Sequence, residues 1–483
     1  MWTGHNRSVT EHEMFSDTDS VPLNLGHLKV WFTAGMGFFT DAYDLFIIGI
    51  VLILLEGNFG TSFRVSAGNP YFGAGLLASS AIIAAVFGQL TFGRLADLLG
   101  RKRVYGIEAA ILAIGAILSA FATSYTELLI FRFILGFGIG GDYPVSATIM
   151  SEYSNKKDRG KLLSLVFANQ GIGSVVAVAI GIISVSIFAP EMAWRFMLGF
   201  GAIPALAVLY MRRKLPETPR YSALVKGNSE EAKKAMKVTN PNADLKVGGI
   251  ASLTSIGSFL TNYGKMLVVT AGSWFLLDMA FYGTGLYSGA ITGQFISSST
   301  LVGEVVLAGL PFIVGFFGYF TAVGAMDRLG RKRIQIVGFL MMAVIYLTLA
   351  SVMVTNGSKL TGFTIAPGLA LILYSLSFFF IDFGPNTTTF VVPAELYPVK
   401  FRTTGHGISA AMGKVGAAIT TFTFAGLLVA YGIKPLMIML AVTSLGGMAL
   451  SLFLKETKDV SLEEASDEAI TEVNSVPAGN ASK

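Results

Sequence analysis

The chain contains no cysteine in its 483 residues, which excludes disulfides, thiolate metal sites and cysteine nucleophiles. Charge is scarce too, because Asp, Glu, Lys and Arg make up 13% of the residues, against roughly 25% in soluble domains. The sequence also lacks a His/Glu pattern with metal-ligand spacing, a Ser-His-Asp arrangement and a phosphate-cradling loop with a lysine. We therefore expect a protein that is not an enzyme, holds no metal or cofactor and does not use ATP.

The sequence consists largely of long apolar runs. Hydrophobic residues make up 53% of the chain, and runs of about 20 apolar residues, enough to cross a ~30 Å hydrocarbon layer as helices, recur along its whole length. The 55 glycines fit the close helix packing found in lipid. We predict an all-α membrane protein with about twelve transmembrane helices, near residues 28–55, 72–97, 104–123, 126–150, 161–187, 193–212, 264–289, 300–326, 334–354, 366–391, 404–430 and 433–454.

Basic residues are unevenly distributed among the loops that join these runs. The alternate loops rich in lysine and arginine are 101–103, 156–161, 212–246, 331–333 and 400–402. The intervening loops hold only Arg64, Arg195, Lys359 and Lys434. This positive-inside bias predicts cytoplasmic termini and a cytoplasmic central loop, and we assign the multi-pass chain to the plasma membrane. It also explains the net charge of +5 without a nucleic-acid partner, since no basic stretch carries interleaved aromatics.

The polar segments divide the chain. The N-terminal 25 residues are polar and acidic and do not form a signal peptide. The central linker is predicted to contain a short amphipathic helix around Ser229 to Met236, and the acidic segment after Lys455 is predicted to be disordered. We divide the chain into a cytoplasmic tail (1–25), a six-helix bundle (26–212), a cytoplasmic linker (213–262), a second six-helix bundle (263–455) and a cytoplasmic tail (456–483).

Three motifs occur twice at a near-constant spacing. The repeated elements are Asp97-Leu-Leu-Gly-Arg-Lys-Arg103 with Asp327-Arg-Leu-Gly-Arg-Lys-Arg333, Thr33-Ala-Gly35 and Asp41 with Thr270-Ala-Gly272 and Asp278, and Glu152 and Arg159 with Glu395 and Arg402. Each pair falls at corresponding helix ends. The repetition predicts two pseudo-symmetric six-helix halves, related by an axis along the membrane normal, with a substrate site between them at mid-depth.

These motifs resemble those of the major facilitator superfamily. Residues 93–103 are similar to its loop between the second and third helices, 132–141 to its fourth-helix motif, and 216–221 to a motif of sugar porters and their relatives. The glycines in 132–141 also satisfy G-x-G-x-x-G, but inside an apolar helix we interpret them as packing residues. The resemblance implies the major facilitator fold and a set of structural motif residues: Asp97, Arg101, Arg132, Glu152, Arg159, Asp327, Arg331, Glu395 and Arg402. We expect the two aspartates that open the repeated loops to hold basic partners and latch the halves together.

Several charged residues fall inside the apolar runs. A charge at the bilayer centre costs roughly 2.5–3.5 kcal/mol, so such residues are functional by default. They are Asp41, Asp44, Arg132, Asp142, Asp278, Asp382 and Lys414. Glu304 and His406 we assign to helix ends instead.

Helical spacing groups some of these charges. Asp41 and Asp44 are three residues apart and share a helix face. Arg132 and Tyr143 are eleven apart, so they share a face at depths that differ by roughly 16 Å. We therefore expect Arg132 to lie away from a site at Tyr143 and to neutralise nearby aspartates, with Asp44 or Asp142 as its structural partner.

Residues of both halves are expected to meet in one cavity. They are Tyr143, Gln170, Trp274, Asp278, Tyr282, Asn386 and Lys414. This set of donors, with one lysine and one aspartate, suits a small, multiply oxygenated anion. Asp278 beside an anion is unfavourable unless it carries a proton, so anion binding and protonation favour each other.

Further motifs resemble the phosphate:proton symporters of the superfamily. They are 140–144, 384–395, 405–407 and 413–414. The resemblance implies that the seven cavity residues hold inorganic phosphate and that protons pass by Asp41, Asp44, Asp142 and Asp278. One residue departs from the family pattern: Asp382 stands where a neutral residue is expected, and pairing with Lys414 or another base is one interpretation.

We therefore expect proton-coupled symport of inorganic phosphate by alternating access, by a chain that acts as a monomer in the lipid bilayer. Two alternatives stay open. A symporter of organic or aromatic acids also uses an Asp-x-x-Asp pair on its first helix, and a phosphate receptor on the same scaffold would bind phosphate without flux. A sugar porter is disfavoured because the seventh helix lacks the paired glutamines and the asparagine that such porters use. A membrane-embedded hydrolase lacks a nucleophile–base pair.

Overall fold

The computed structural model describes residues 14–63, 72–245, 249–251, 255–468 and 470–472. Within these ranges twelve helices are long and apolar enough to cross a membrane, which confirms the predicted all-α architecture. Most begin and end within a few residues of the predicted runs, but the seventh already begins at Ile256 and the tenth extends to Leu396. Arg64 and the outermost parts of both predicted tails lie outside the described residues.

The first six spans are formed by eight helices of the described chain, because the third and the sixth span are each broken at a glycine. A short helix α1 (Ser16–Asp19) precedes these eight helices. The eight are α2 (Leu25–Phe63), α3 (Phe72–Leu99), α4 (Arg101–Val104), α5 (Ile107–Ala120), α6 (Tyr125–Tyr153), α7 (Arg159–Ile187), α8 (Pro190–Phe200) and α9 (Ala202–Arg212).

The linker and the last six spans complete the described chain. The linker contains a π-helical turn (Tyr221–Val225), α10 (Ser229–Met236) and β1 (Gly249–Ala251). The later helices are α11 (Ile256–Leu286), α12 (Ser288–Phe295), α13 (Leu301–Leu329), α14 (Arg331–Val352), α15 (Pro367–Phe383), α16 (Pro385–Leu396), α17 (Arg402–Tyr431), α18 (Ile433–Ser451) and α19 (Leu462–Ala465). Strands β2 (Met353–Asn356) and β3 (Lys359–Phe363) form an antiparallel hairpin, and β4 (Ile470–Glu472) pairs antiparallel with β1.

The two copies of the repeated loop fold alike. Gly100 follows α3 and Gly330 follows α13, with φ angles of 102° and 89°, in the left-handed region that favours glycine. After each glycine a helix begins with an arginine, Arg101 in α4 and Arg331 in α14. The duplicated sequence therefore produces a duplicated turn, at the end of the helical bundle that carries the basic loops; we call this the basic end.

The two halves meet along α3 against α17 and along α7 against α13. Gly407 in α17 lies so close to α3 that an added Cβ would come within 2.5 Å of the main-chain oxygen of Gln89. Small residues allow helix backbones to approach in this way without a soluble-type core between them. One apolar cluster runs through both halves.

The polar segments at the basic end are packed against the bundle. Helix α10 has the predicted bounds and buries Ala232, Ala235 and Met236. The prediction of a disordered C-terminal segment is wrong for residues 456–468, because α19 and its flanks are largely buried. Sequence composition suggested disorder because the segment is acidic, but buried arginines of the bundle provide its partners: Arg220 binds Glu463 at 2.7 Å.

The C-terminal segment contains a carboxyl that links its packing to pH. Burial raises the pKa of Glu468 to about 7, although nearby Arg402 and the Val399 N–H, which donates to it at 3.1 Å, act in the opposite direction. A carboxyl with a raised pKa in the folded state stabilises packing below its ordinary pKa of 4.5, and that contribution is lost as the pH rises through about 7. We expect residues 461–468 to detach more readily at neutral than at acidic pH.

The substitution Glu468→Gln tests this expectation, because a neutral amide keeps the packing independent of pH across this window. The cysteine-free chain allows a single spin label at the exposed Glu464 position, after Glu464→Cys, to report the mobility of the segment. Equal pH dependence of the label in the Glu468→Gln variant and in the otherwise unchanged chain would contradict the assignment to Glu468.

Candidate functional site

A group of buried polar side chains lies where the two halves meet. We call it the central cluster: Tyr143 on α6, Gln170 on α7, Trp274, Asp278 and Tyr282 on α11, Tyr319 on α13, Asp382 on α15, Asn386 on α16 and Lys414 on α17. No member is more than 3% exposed. All seven predicted cavity residues are brought together here, and the structure adds Tyr319 and Asp382.

A break in one span positions two members of the cluster. Helix α15 ends at Phe383, Gly384 lies between the two helices, and α16 begins with Pro385, which suits the first helical position because it has no N–H to satisfy. Asp382 and Asn386 therefore lie on either side of the break and remain in hydrogen-bond contact, with Asn386 Nδ2 2.7 Å from Asp382 Oδ1.

An ion pair forms the charged part of the central cluster. Lys414 Nζ lies 3.1 Å from Asp278 Oδ2 and donates to the Tyr282 hydroxyl at 2.8 Å. It also lies 4.7 Å from the ring centroid of Tyr143, within the range of a cation–π contact. Because both charges are buried, each is stabilised by the other. Any ion that enters the cluster must therefore change the charge balance of this pair.

A chain of hydrogen bonds crosses from one half to the other. Gln170 Nε2 donates to the Tyr143 hydroxyl at 2.7 Å, and the Tyr319 hydroxyl lies 3.4 Å from Gln170 Oε1. Asn386 Nδ2 then donates to the Tyr319 hydroxyl at 2.7 Å. The interpretation that Asp382 pairs with Lys414 is wrong. Lys414 binds Asp278, whereas Asp382 accepts a hydrogen bond from the neutral amide of Asn386.

Aromatic rings close the central cluster on both sides. Toward the basic end, Phe167 and Phe390 stack with centroids 4.5 Å apart, and Phe38 contacts Phe390 at 4.9 Å. Toward the opposite end, Phe46 packs against Tyr282 at 5.7 Å and against Phe312 at 5.0 Å. The cluster is therefore occluded from both ends of the bundle.

A second group of buried charges lies within the N-terminal half. Arg212 donates to Glu108 at 3.1 Å and to Asp142 at 2.5 Å. Ser146 also donates to Asp142. Neither carboxylate oxygen of Asp41, which lines the same cavity, has a hydrogen-bond partner among the described residues. We call Asp41, Glu108, Asp142 and Arg212 the acid cluster; its formal charge is negative unless at least two of the three acids are protonated.

The prediction that Arg132 neutralises Asp142 is wrong, because Arg212 forms the ion pair with Asp142. Arg132 instead donates to the main-chain oxygen of Asp44 at 2.7 Å. The Asp44 carboxylate faces Gly201, where an added Cβ would collide with it, and its oxygens have no hydrogen-bond partner within the described chain. Asp41 and Asp44 thus lie on one helix but in different surroundings.

Sequence reasoning missed two members of the acid cluster. Glu108 is a single acid in the apolar helix α5, so the rule that identified Asp41 as a charge inside a membrane helix also identifies it. Arg212 is the first residue of the basic stretch 212–246 and the last of α9, and no local signal indicates that its side chain turns inward.

The remaining predicted residues form an end network that joins the halves at the basic end. Glu152 of the N-terminal half binds Arg101 of the same half at 3.0 Å and Arg402 of the other half at 3.1 Å. Its repeat counterpart, Glu395, binds Arg331 of its own half at 2.8 Å and Arg159 of the N-terminal half at 2.9 Å. The members are Asp97, Arg101, Glu152, Arg159, Asp327, Arg331, Glu395 and Arg402.

The two loop aspartates each bind an arginine four residues on and cap a helix of the other half. Asp97 lies 3.3 Å from Arg101 and accepts the Thr404 N–H at 2.7 Å at the start of α17. Asp327 lies 2.9 Å from Arg331 and accepts the Lys161 N–H at 2.7 Å at the start of α7. Carboxylates at helix N-termini are favoured by the unpaired N–H groups and the helix dipole there.

A further repeat in this network was missed in the sequence. Glu217-Thr218 follows the sixth span and Glu456-Thr457 follows the twelfth. Thr218 donates to Glu152 at 2.5 Å, and Thr457 donates to Glu395. The Glu-Thr pair after each sixth helix was visible as a sequence signal, but the second copy lies in the segment that composition predicted to be disordered.

The arrangement places buried carboxyl groups near one buried cation and several neutral hydrogen-bond donors. Within the described ranges, no group of three or more His, Cys, Asp or Glu side chains could hold a metal ion. His406 Nε2 donates to the Phe390 carbonyl oxygen, 3.1 Å away, near the basic end of α17 as predicted. Glu304 is exposed in the first turn of α13. The central cluster combines one cation with several neutral donors, whereas the acid cluster and Asp44 supply carboxyls.

The whole chain resembles known transport proteins in sequence. A family model described as "Sugar (and other) transporter" matches residues 30–469. The "Probable inorganic phosphate transporter 1-6" of Arabidopsis thaliana is 40% identical over 92% of this chain and 94% of that protein. The "Low affinity inorganic phosphate transporter 4" of Petunia hybrida is 38% identical over 92% of each chain.

Solved structures show the same fold. The proton:xylose symporter XylE bound to 6-bromo-6-deoxy-D-glucose matches with a TM-score of 0.77 at 20% identity, over 91% of this chain and 98% of that one. The inward open conformation of XylE from E. coli gives a TM-score of 0.66 at 20% identity, over 91% and 99%. At this identity the likeness concerns the arrangement of the twelve spans.

Proposed function

The chain belongs to the major facilitator superfamily, to its sugar (and other) transporter family and to the inorganic phosphate transporters within it, and on this premise we propose that it carries inorganic phosphate together with protons. It is a membrane transporter and not an enzyme. The observation that supports coupling most directly is the buried pair of Lys414 and Asp278.

Charge balance connects phosphate to a proton in this proposal. The pair of Lys414 and Asp278 is neutral before substrate enters. A monovalent phosphate next to Lys414 adds one negative charge to a site with little exposure to water, and a proton on Asp278 removes it again. Leaving a charge unpaired in such a site costs several kcal/mol, so phosphate and proton are expected to bind together.

The residues divide into those that hold phosphate and those that carry protons. Phosphate is held by the predicted cavity residues Tyr143, Gln170, Trp274, Asp278, Tyr282, Asn386 and Lys414. Protons pass by Asp41, Asp44, Asp142 and Asp278. The lack of hydrogen-bond partners at the Asp41 and Asp44 carboxylates, within the described residues, supports their assignment as acids that gain and lose a proton.

Alternating access completes the proposal. The end network closes the basic end, which we place in the cytoplasm with both termini, and its separation would open the central cluster there. The aromatic contacts at the opposite end would close in turn. The two bundles 26–212 and 263–455 move as the rocking units around the site, in a monomeric plasma-membrane protein.

Uptake of radiolabelled phosphate into proteoliposomes tests the function. With an inward proton gradient we expect accumulation above the outside concentration, and a protonophore should reduce it to equilibration, because the gradient is the only driving force supplied. Protein-free liposomes treated identically are the control. Uptake that is unaffected by collapsing the pH gradient would contradict proton coupling.

Competition and flux distinguish the alternatives. Inhibition by benzoate-type acids, without inhibition by arsenate, would favour an organic-acid symporter. Saturable phosphate binding by the purified protein without uptake or exchange would favour a receptor. The proposal predicts inhibition by arsenate, since its tetrahedral oxyanion presents the same acceptors to the donors of the central cluster.

A further inference from the structure

Asp382 is a buried carboxyl for which the proposed function gives no role. It is 3% exposed and makes no ion pair with any Lys, Arg or His of the described residues. The offset that relates Tyr143 to Asn386 places Ile139 opposite it in the other half, so the repeat does not require an acid here. An ionised carboxylate in such a place is costly unless it is paired or protonated.

Its neighbours are the neutral donors of the central cluster. Asn386 Nδ2 donates to Asp382 Oδ1 at 2.7 Å, and the Tyr319 hydroxyl, to which Asn386 also donates at 2.7 Å, lies beside the same carboxyl. The titratable groups that face it from the surrounding helices are Tyr319 on α13 and Tyr346 on α14. Gly315 of α13 packs against the carboxyl, and Thr387 donates to its main-chain oxygen at 2.6 Å.

Donor counting shows what an ionised Asp382 does to the cluster. Asn386 has two amide hydrogens, one directed to Tyr319 and one to Asp382. Tyr319 has one hydroxyl hydrogen, for which Asp382 and Gln170 compete. A carboxylate is the stronger acceptor and only accepts, so it holds donors that an anion in the cavity would need.

We propose that Asp382 is a second proton acceptor coupled to anion binding, in addition to Asp278, and that its protonation releases Asn386 and Tyr319 as donors to the phosphate. This inference rests on the proposed function. A proton from the medium adds to one carboxylate oxygen and turns an acceptor into an O–H donor. That O–H donates to the Asn386 carbonyl oxygen or to the Tyr319 oxygen, and one amide hydrogen and one hydroxyl hydrogen become available to the anion.

The test measures how many protons are taken up when phosphate binds. By linkage, the slope of log Kd for phosphate against pH reports the protons bound with it, and we expect this slope to fall by about one in Asp382→Asn. Asn keeps the shape and can accept from Asn386, but it does not titrate. Asp382→Glu keeps a titratable group and should keep the slope, which separates proton uptake from a merely structural hydrogen bond.

Calorimetric titration of the purified full-length protein with inorganic phosphate, in buffers of different ionisation enthalpy, provides an independent count of the protons. Equal proton counts for the unsubstituted chain and Asp382→Asn would overturn this inference and leave the proposed function intact. Absence of phosphate binding by the unsubstituted chain at every pH would overturn both.

A spectroscopic readout keeps the proposal testable if Asp382→Asn does not fold. The phosphate-induced infrared difference spectrum should contain the carbonyl band of a newly protonated carboxylic acid. Asp382→Glu should shift this band, because the two acids absorb differently. Protonation of Asp278 contributes a band that this substitution leaves in place, so a carbonyl region in which Asp382→Glu moves no band would overturn the assignment.

Discussion

Asp278→Asn is expected to reduce concentrative phosphate uptake strongly while phosphate binding persists. The amide keeps the size of the side chain, and Lys414 then faces the anion without a competing carboxylate. What is lost is the group whose proton offsets the charge of the anion. We expect proton-driven accumulation to fall by about 5- to 150-fold, the usual range of coupling between two binding events.

The result separates coupling from binding when three quantities are measured in proteoliposomes: accumulation under an inward proton gradient, phosphate exchange at equal concentrations, and the pH dependence of Kd. Asp278→Asn should lose most of the proton-driven accumulation, retain the exchange, and lower the slope of log Kd against pH by about one. Asp278→Glu, which keeps a carboxyl within reach of Lys414, is the matched control and should retain part of the accumulation. Accumulation by Asp278→Asn at the level of the unsubstituted chain would refute the coupling role of Asp278.

Glu395→Gln is expected to open the basic end of the bundle. Glu395 is the carboxylate shared by Arg331 of its own half and Arg159 of the other, and both arginines are buried. Removing one partner of a buried ion pair costs about 3–5 kcal/mol, or a factor of roughly 150–5000 in an equilibrium. The arginines recover hydration only when the halves separate, so the conformational equilibrium should move toward the open state.

Spin labels on two introduced cysteines provide the measurement. Lys157→Cys and Arg333→Cys place exposed labels on opposite halves of a chain that otherwise has no cysteine, so no background label interferes. Their distance distribution should gain a longer component in Glu395→Gln. Glu456→Gln is the matched control at the same end, because this exposed glutamate contacts main-chain N–H groups and its loss should cost little. Identical distance distributions in Glu395→Gln and Glu456→Gln would contradict the claim that Glu395 holds the two halves together at the basic end.

The spans and their repetition were predictable because they depend on local properties of the sequence. Hydrophobicity over about 20 residues determines whether a segment can lie in lipid, and Gly100 and Gly330 mark two turns that any structure of this sequence must make. The repeat and the resemblance to phosphate:proton symporters supplied the seven predicted residues that lie together in the central cluster. The local rules failed where composition was the only guide, as in the acidic segment around Glu463, which is ordered by Arg220 from a distant part of the chain.

By itself, the sequence determined that this protein spans a membrane twelve times, that its halves are related, and that a few charges inside the spans need partners. Only the tertiary structure decided which partners these are: Arg212 rather than Arg132 for Asp142, and Tyr319 rather than Lys414 beside Asp382. The reason is geometric. Helical periodicity fixes the face on which a side chain lies, but the rotation and depth of one helix against another decide which side chain it meets.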